Sequence, residues 1–307
     1  MGAPESTGGS VRRLVSLVAT TVRPTTERER ERRRIAIACL PFFVLATVAG
    51  FVPLSTLVRI SVAEDTVWME GWSLDAWRTL VADSTYLWVA WNTLWFVGLA
   101  TLVSVALAVA VAHALEKYDL PFQRLIVAAV SFPIALPGIV VASLMIVLLG
   151  RQGLVTNVVA VATGESAIDL ASATAITGLF LGYVYSLVPR ATMVLRGTYA
   201  EVNERAEEAA RALGASRWET FYHVTLPEIR PGIVAAVILT FRSGLAIFGT
   251  VLILQSHRVV TLQIHQEISV GSHRPDVAAA IGIVYVAFIV AFTFVGLRFV
   301  DSDAVEI

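Results

Sequence analysis

The chain is predicted to be an all-α integral membrane protein of six transmembrane helices, and two observations carry that prediction. Of its 307 residues, 56% are hydrophobic and only 15% charged, with a mean hydropathy of +0.73; soluble domains carry roughly 45–50% apolar and about 25% charged residues. The apolar residues also fall into six runs, each able to cross about 30 Å of hydrocarbon, which takes roughly 20 helical residues. Backbone groups in lipid must bond internally, and the short alternating segments of a β-barrel are absent, so the runs are read as helices.

Residues 1–34 form a polar, arginine-rich tail. The apolar run that follows is longer than a signal-peptide core and has no small-residue exit site, so it is expected to remain as an anchor. Within the tail, Val11, Leu14, Val15, Val18 and Val22 recur at helical spacing beside Arg12 and Arg13, the pattern of an amphipathic helix on the inner leaflet. The alternating charges from Glu27 to Arg34 read as a solvated helical face. The first span covers 35–60 and, with its external loop, fills 35–86; tryptophans from Trp68 to Trp91 gather there, as in an interfacial belt. The remaining spans are read at 87–115, 125–149, 173–195, 232–254 and 277–300, so that 87–300 forms one membrane domain and 301–307 a short tail.

Orientation follows from the basic residues. Of the 23 lysines and arginines, only Arg59, Arg78, Arg151, Arg258 and Arg274 fall outside if the N-terminus is inside; Arg242 lies within a span and the rest, Arg190 and Arg196 among them, go to the inner side. Both termini are therefore expected in the cytoplasm of a multi-pass cell-membrane protein. A net charge of −1 gives no reason to expect a nucleic-acid partner. The single cysteine, Cys39, lies in the first span and excludes an intrachain disulfide.

The loop between the fourth and fifth spans is polar yet strongly helix-forming. From Glu201 to Leu213 it holds mostly Ala, Glu, Arg and Leu. Val202, Ala206, Ala209, Ala210 and Leu213 are expected to share an apolar stripe, with Glu201, Glu204, Glu207 and Glu208 facing away. Gly214 suits the left-handed position after a helix, and Ser216 with Glu219 forms a capping box for a second helix bearing Trp218, Phe221 and Tyr222. Pro227 and Pro231 are expected to stop that helix before the fifth span.

These residues carry a family resemblance. Glu208, Ala209 and Ala210, then Gly214, then Val224, Leu226 and Pro227 reproduce the spacing of the EAA loop, E-A-A-x3-G-x9-I-x-L-P, with valine in place of isoleucine. The chain thus resembles the permeases of type I ABC importers over roughly 87–300. The resemblance implies that the loop docks an ABC ATPase subunit, that a second permease subunit, identical or homologous, completes the path, and that an extracytoplasmic solute-binding protein delivers the solute. The ATPase must be another chain: a phosphate-cradling loop needs G-x4-G-K-[ST], and the single lysine, Lys117, has no such context.

Two features point to a solute path. Pro133, Pro137 and Gly138 should break the third span about 12–18 Å below its cytoplasmic entry, and broken helices at that depth mark transporter sites. Arg242 falls at similar depth, where a guanidinium costs about 2.5–3.5 kcal/mol and faces protein or water. The stretch from Phe241 to Ser243 resembles the F-A-R segment of sulfate and molybdate permeases, and Phe248 to Thr250 resembles ferric-iron and phosphonate permeases, without the acidic residue often found before that Phe-Gly pair. The resemblance therefore leaves the solute open among inorganic anions, iron, phosphonates, polyamines and thiamine. His257, His265 and His273 are not spaced as metal ligands and read as surface residues. No catalytic constellation or cofactor motif is present. An ATP-independent secondary transporter would need carboxylates within the spans, and a membrane scaffold would bind a partner without moving solute.

Overall fold

The computed structural model describes residues 27–269 and 273–303, and among these the protein is helical, without a β-strand. The expected amphipathic segment at 11–22 lies outside the described residues. The chain divides into two compact units, Met1–Thr56 and Leu57–Ile307. Helix α1, Glu27–Ser61, contains Pro41 and Pro53 and within the first unit exposes Phe42, Phe43, Leu45 and Phe51. The second unit holds the rest: α2 (Asp75–Ala82), α3 (Ser84–Lys117), α4 (Gln123–Ser131), α5 (Gly138–Leu149), α6 (Leu154–Thr163), α7 (Ala167–Leu170), α8 (Ile176–Tyr199), α9 (Glu204–Ala212), α10 (Arg217–Thr220), α11 (Leu226–Leu245), α12 (Gly249–Leu254), α13 (Val260–Ile268) and α14 (Pro275–Asp303).

Six helical stretches among the described residues are long and apolar enough to cross a membrane, the number the sequence predicts. Two are built differently from expectation. In place of one span over 125–149, α4 passes into a 3-10 turn, Phe132–Ala135, and the spanning stretch is Gly138–Thr163, made of α5 and α6. Pro133 and Pro137 remove two donors, and Pro137 takes the extended geometry (φ −59°, ψ 146°) that precedes α5.

The fifth span starts earlier than expected and ends earlier too. Pro227 and Pro231 do not stop the helix: α10 continues through a π-helical turn, Phe221–Thr225, into α11, giving an unbroken stretch Arg217–Leu245. The amide of Leu226 donates to the carbonyl of Phe221, five residues back. That wider turn makes room for the Pro227 ring, which a regular α-turn would push against the preceding carbonyl. The break falls instead at 246–248, after which the chain resumes as α12.

The interior of the second unit is formed where α3, α8 and α11 pack together. Phe96, Tyr183, Leu187 and Leu245 fill its centre, with the Phe96 and Tyr183 rings edge to face at 5.0 Å. Ala108, Ala112, Ala191 and Ala236 lie along the same contacts toward the loop end, and such small residues let membrane helices approach closely.

Candidate coupling loop and translocation site

Helix α9 begins at Asn203, whose side chain accepts from the Arg205 amide at 3.1 Å, while the Asn203 amide donates to Glu228 of α11 at 2.9 Å. It ends as the sequence predicts. Gly214 takes φ +97°, its amide donates to Arg211 and that of Ala215 to Ala210, each at 3.0 Å, which closes a Schellman motif. The capping box follows: the Ser216 amide donates to Glu219 Oε2 at 2.7 Å and the Glu219 amide to Ser216 Oγ at 3.3 Å. Two helices thus meet at a fixed angle around one glycine.

The faces of α9 differ from the expected stripe. Val202 is buried and Ala206 and Ala210 half-buried, but Ala209 and Leu213 are exposed, Leu213 at 90%. Trp218 (72%) and Tyr222, on the turns that follow, are exposed as well, so the loop presents apolar residues outward as a knob. Glu208 is exposed, Val224 and Leu226 are half-buried, and Pro227 is exposed. Glu207, expected to face away, is only 4% exposed.

Glu207 is buried because its two closest partners come from other elements. Lys117 Nζ at the end of α3 lies 2.9 Å from Glu207 Oε2, the Thr225 hydroxyl donates to Oε1 at 2.5 Å, and Arg211 Nη2 stands 3.9 Å away. Burial alone would raise the Glu207 carboxyl; the Thr225 hydroxyl, the Lys117 ammonium and Arg211 outweigh it and hold the group below its ordinary value. The carboxylate therefore ties α9 to the end of α3 and to the π-turn that leads into α11.

The two interrupted helices meet in the bundle. The Thr250 hydroxyl at the start of α12 donates to the Gly138 carbonyl at 3.0 Å, and a Cβ on Gly138 would stand 3.0 Å from the Thr250 amide nitrogen. Beside this crossing lies a cavity of about 430 Å³ lined by Leu136, Gly138, Ser186, Arg190, Ser243, Ala246, Ile247, Phe248, Gly249 and Thr250. The structure thus brings the proline break to a cavity, with Leu136 and Gly138 in its wall; Pro133 is buried and Pro137 exposed, and neither lines it. It does not bring Arg242 there. On α11 the cavity-facing residue is the adjacent Ser243, about 100° around the helix, and Arg242 is exposed on another face.

Sequence reasoning missed Glu207, Arg190 and the break at 246–248. Gly244 and Gly249, flanking the break, were the available signal for it. Arg190, counted with the cytoplasmic charges, lies inside α8, well before its end at Tyr199. His257, expected at the surface, is half-buried against Trp95 and Phe96, with ring centroids at 5.5 and 5.3 Å. Burial lowers its ring pKa, against the opposing bond to the Asn92 backbone.

Six apolar helical stretches, helix breaks that cross beside a cavity and a rigid knob between two spans are the features of a transport permease. The family model described as binding-protein-dependent transport system inner membrane component matches residues 101–304, and the chain belongs to this family, the permeases of type I ABC importers. It is 29% identical over 204 residues to a probable sulfate transport system permease of Chlorokybus atmophyticus, covering 66% of this chain and 67% of that one. A molybdenum transport system permease of Escherichia coli K12 is 31% identical over 154 residues (49% and 64%), and a probable molybdenum ABC transporter permease of Haloferax volcanii is 30% identical over 213 (69% and 75%). The matches thus span about two thirds of these relatives' lengths. The fold is also that of a chain in a crystal structure of a bacterial ABC transporter involved in the import of the acidic polysaccharide alginate, with TM-score 0.72, 17% identity, and coverage of 90% and 98%.

Proposed function

We propose that this importer permease moves a small hydrophilic solute inward through the cavity at the crossed helix breaks, driven by a separate ATPase subunit that docks on the exposed knob. The observation that carries the reading is the knob itself: Leu213, Trp218 and Tyr222 stand in the open on a support fixed by the Gly214 turn, the capping box and the buried Glu207. An apolar patch so held and so exposed is suited to a partner's groove. Glu208 and Ala209 lie on the exposed side of α9 and would share that contact, with Gly214 setting its angle. An external binding protein, which the family's description names, and a second permease subunit, which the EAA-loop resemblance implies, complete the proposed assembly.

Gly214→Asp forces a side chain into a φ of +97° at roughly 1–2 kcal/mol, and Glu208→Lys reverses a surface charge. Both variants are expected to insert normally, lose the ATPase on co-purification and lose ATP-driven uptake together. A variant carrying both changes that still co-purifies and transports would remove the docking assignment. The same reading places both termini and the loop in the cytoplasm: reporters fused after Arg34, Gly214 and Asp301 should read inside, and those at Asp75 or His265 outside. An outside reading at Gly214 would sink the proposal.

A further inference from the structure

Among the described residues, Arg190 presents the one ionisable side chain in the wall of the cavity at the crossed breaks. Its guanidinium donates to the carbonyl of Ser186, one turn back on α8, and pairs with no carboxylate among the described residues. A guanidinium carries five N–H donors, so most of its bonding capacity remains for whatever enters. The other polar groups do not offset it. Ser243 gives its proton to Leu239 at 2.8 Å and Thr250 to Gly138 at 3.0 Å, and the remaining side chains are apolar apart from Ser186.

A cavity with one uncompensated positive charge and low-dielectric walls concentrates counter-ions and repels cations. A guanidinium within a membrane-spanning helix is costly unless it faces such a space. Resting on the importer reading above, we infer that Arg190 is the specificity-determining residue of the cavity and that the solute it passes is a small anion bearing an oxyanion group. The planar fork of the guanidinium matches two oxygens of such a group, whether the anion is inorganic or an organic phosphonate. Arg242 is not among the residues that line this cavity.

The test uses the full chain in proteoliposomes. In a Cys39→Ala background, which removes the exposed native thiol, Ser243→Cys puts a thiol on the cavity wall. Its reaction with the anionic reagent methanethiosulfonate ethylsulfonate is compared with that of the cationic ethyltrimethylammonium analogue. Arg190→Gln should lower the anion-to-cation rate ratio about tenfold or more, and Arg190→Lys should keep most of it. A ratio unmoved by Arg190→Gln, or one that falls with Arg242→Gln instead, would overturn the assignment. Protection of the thiol by sulfate assigns the inorganic class and by methylphosphonate the organic one, each protection disappearing in Arg190→Gln; protection by maltose alone would refute the anion. Failure of the importer reading would appear separately, as an ATPase that does not co-purify with the chain, and the thiol ratio does not depend on that result.

Discussion

Glu207→Lys is expected to abolish ATP-driven uptake and to destabilise the folded chain by about 3–5 kcal/mol, the usual cost of leaving a buried charge without its partner. The substitution sets a second ammonium against Lys117 Nζ, now 2.9 Å from the carboxylate, and removes the acceptor of the Thr225 hydroxyl. Three elements then lose their common tie. Thermal unfolding of the purified chain gives the stability, and uptake per folded complex gives the coupling. Glu207→Leu combined with Lys117→Met should recover stability, since an apolar pair replaces a buried ion pair at little cost, but uptake should stay low because the bond to Thr225 is still missing. If Glu207→Lys unfolds like wild type, the pair does not hold the loop. The pH dependence has a definite sign. Because the folded carboxyl lies below its ordinary value, its contribution is complete above about pH 4.3 and is lost as pH falls through the lower folded value. Glu207→Gln should flatten that acid limb of the stability curve.

The second large effect belongs to the crossing of the broken helices. A Cβ on Gly138 would meet the Thr250 amide nitrogen at 3.0 Å, Thr250 Oγ1 at 3.2 Å and Gly249 Cα at 3.3 Å, and one on Gly249 would meet the Ile139 amide nitrogen at 3.0 Å. These are mostly backbone atoms at helix starts, so neither side can yield by turning a side chain. Gly138→Val should therefore push α5 and α12 apart, break the Thr250–Gly138 bond and cost about 1–3 kcal/mol. Uptake per folded complex should drop more steeply than stability, since the same displacement reshapes the cavity wall. Gly138→Ala should fall between valine and wild type. Full uptake by Gly138→Val would place the solute path elsewhere.

What the sequence made legible was what short-range chemistry determines. Six apolar runs, a helix broken at Pro133 and Pro137, the left-handed turn at Gly214 and the capping box of Ser216 and Glu219 each follow from residues a few positions apart, and each is present in the structure. The burial of Glu207 is different in kind. Its partner Lys117 comes from another helix, so a helical-wheel reading placed the carboxylate on the solvent side by polarity alone. The break at 246–248 carries no proline; it stands next to the close approach of Gly249 to Gly138, a contact between distant segments. Charge asymmetry reports the side of a membrane and not depth along a helix, so it carries no sign that Arg190 lies within the span Ile176–Tyr199 and lines the cavity. Arg242 and Ser243 are neighbours in sequence and face different surroundings, a distinction made by the packing of α11.

The ion pair at Glu207 also governs what reagents can see. Lys117 is the one lysine in the chain, and its side chain is 13% exposed, with the ammonium against a carboxylate. A protonated, paired amine is a poor nucleophile, so acylating reagents meet a reactive lysine side chain only in molecules where the pair has opened. The rate of lysine acylation under native conditions therefore reports how readily the pair opens, read by mass spectrometry on the unmodified sequence, and it can be followed as nucleotide is added to the assembled transporter.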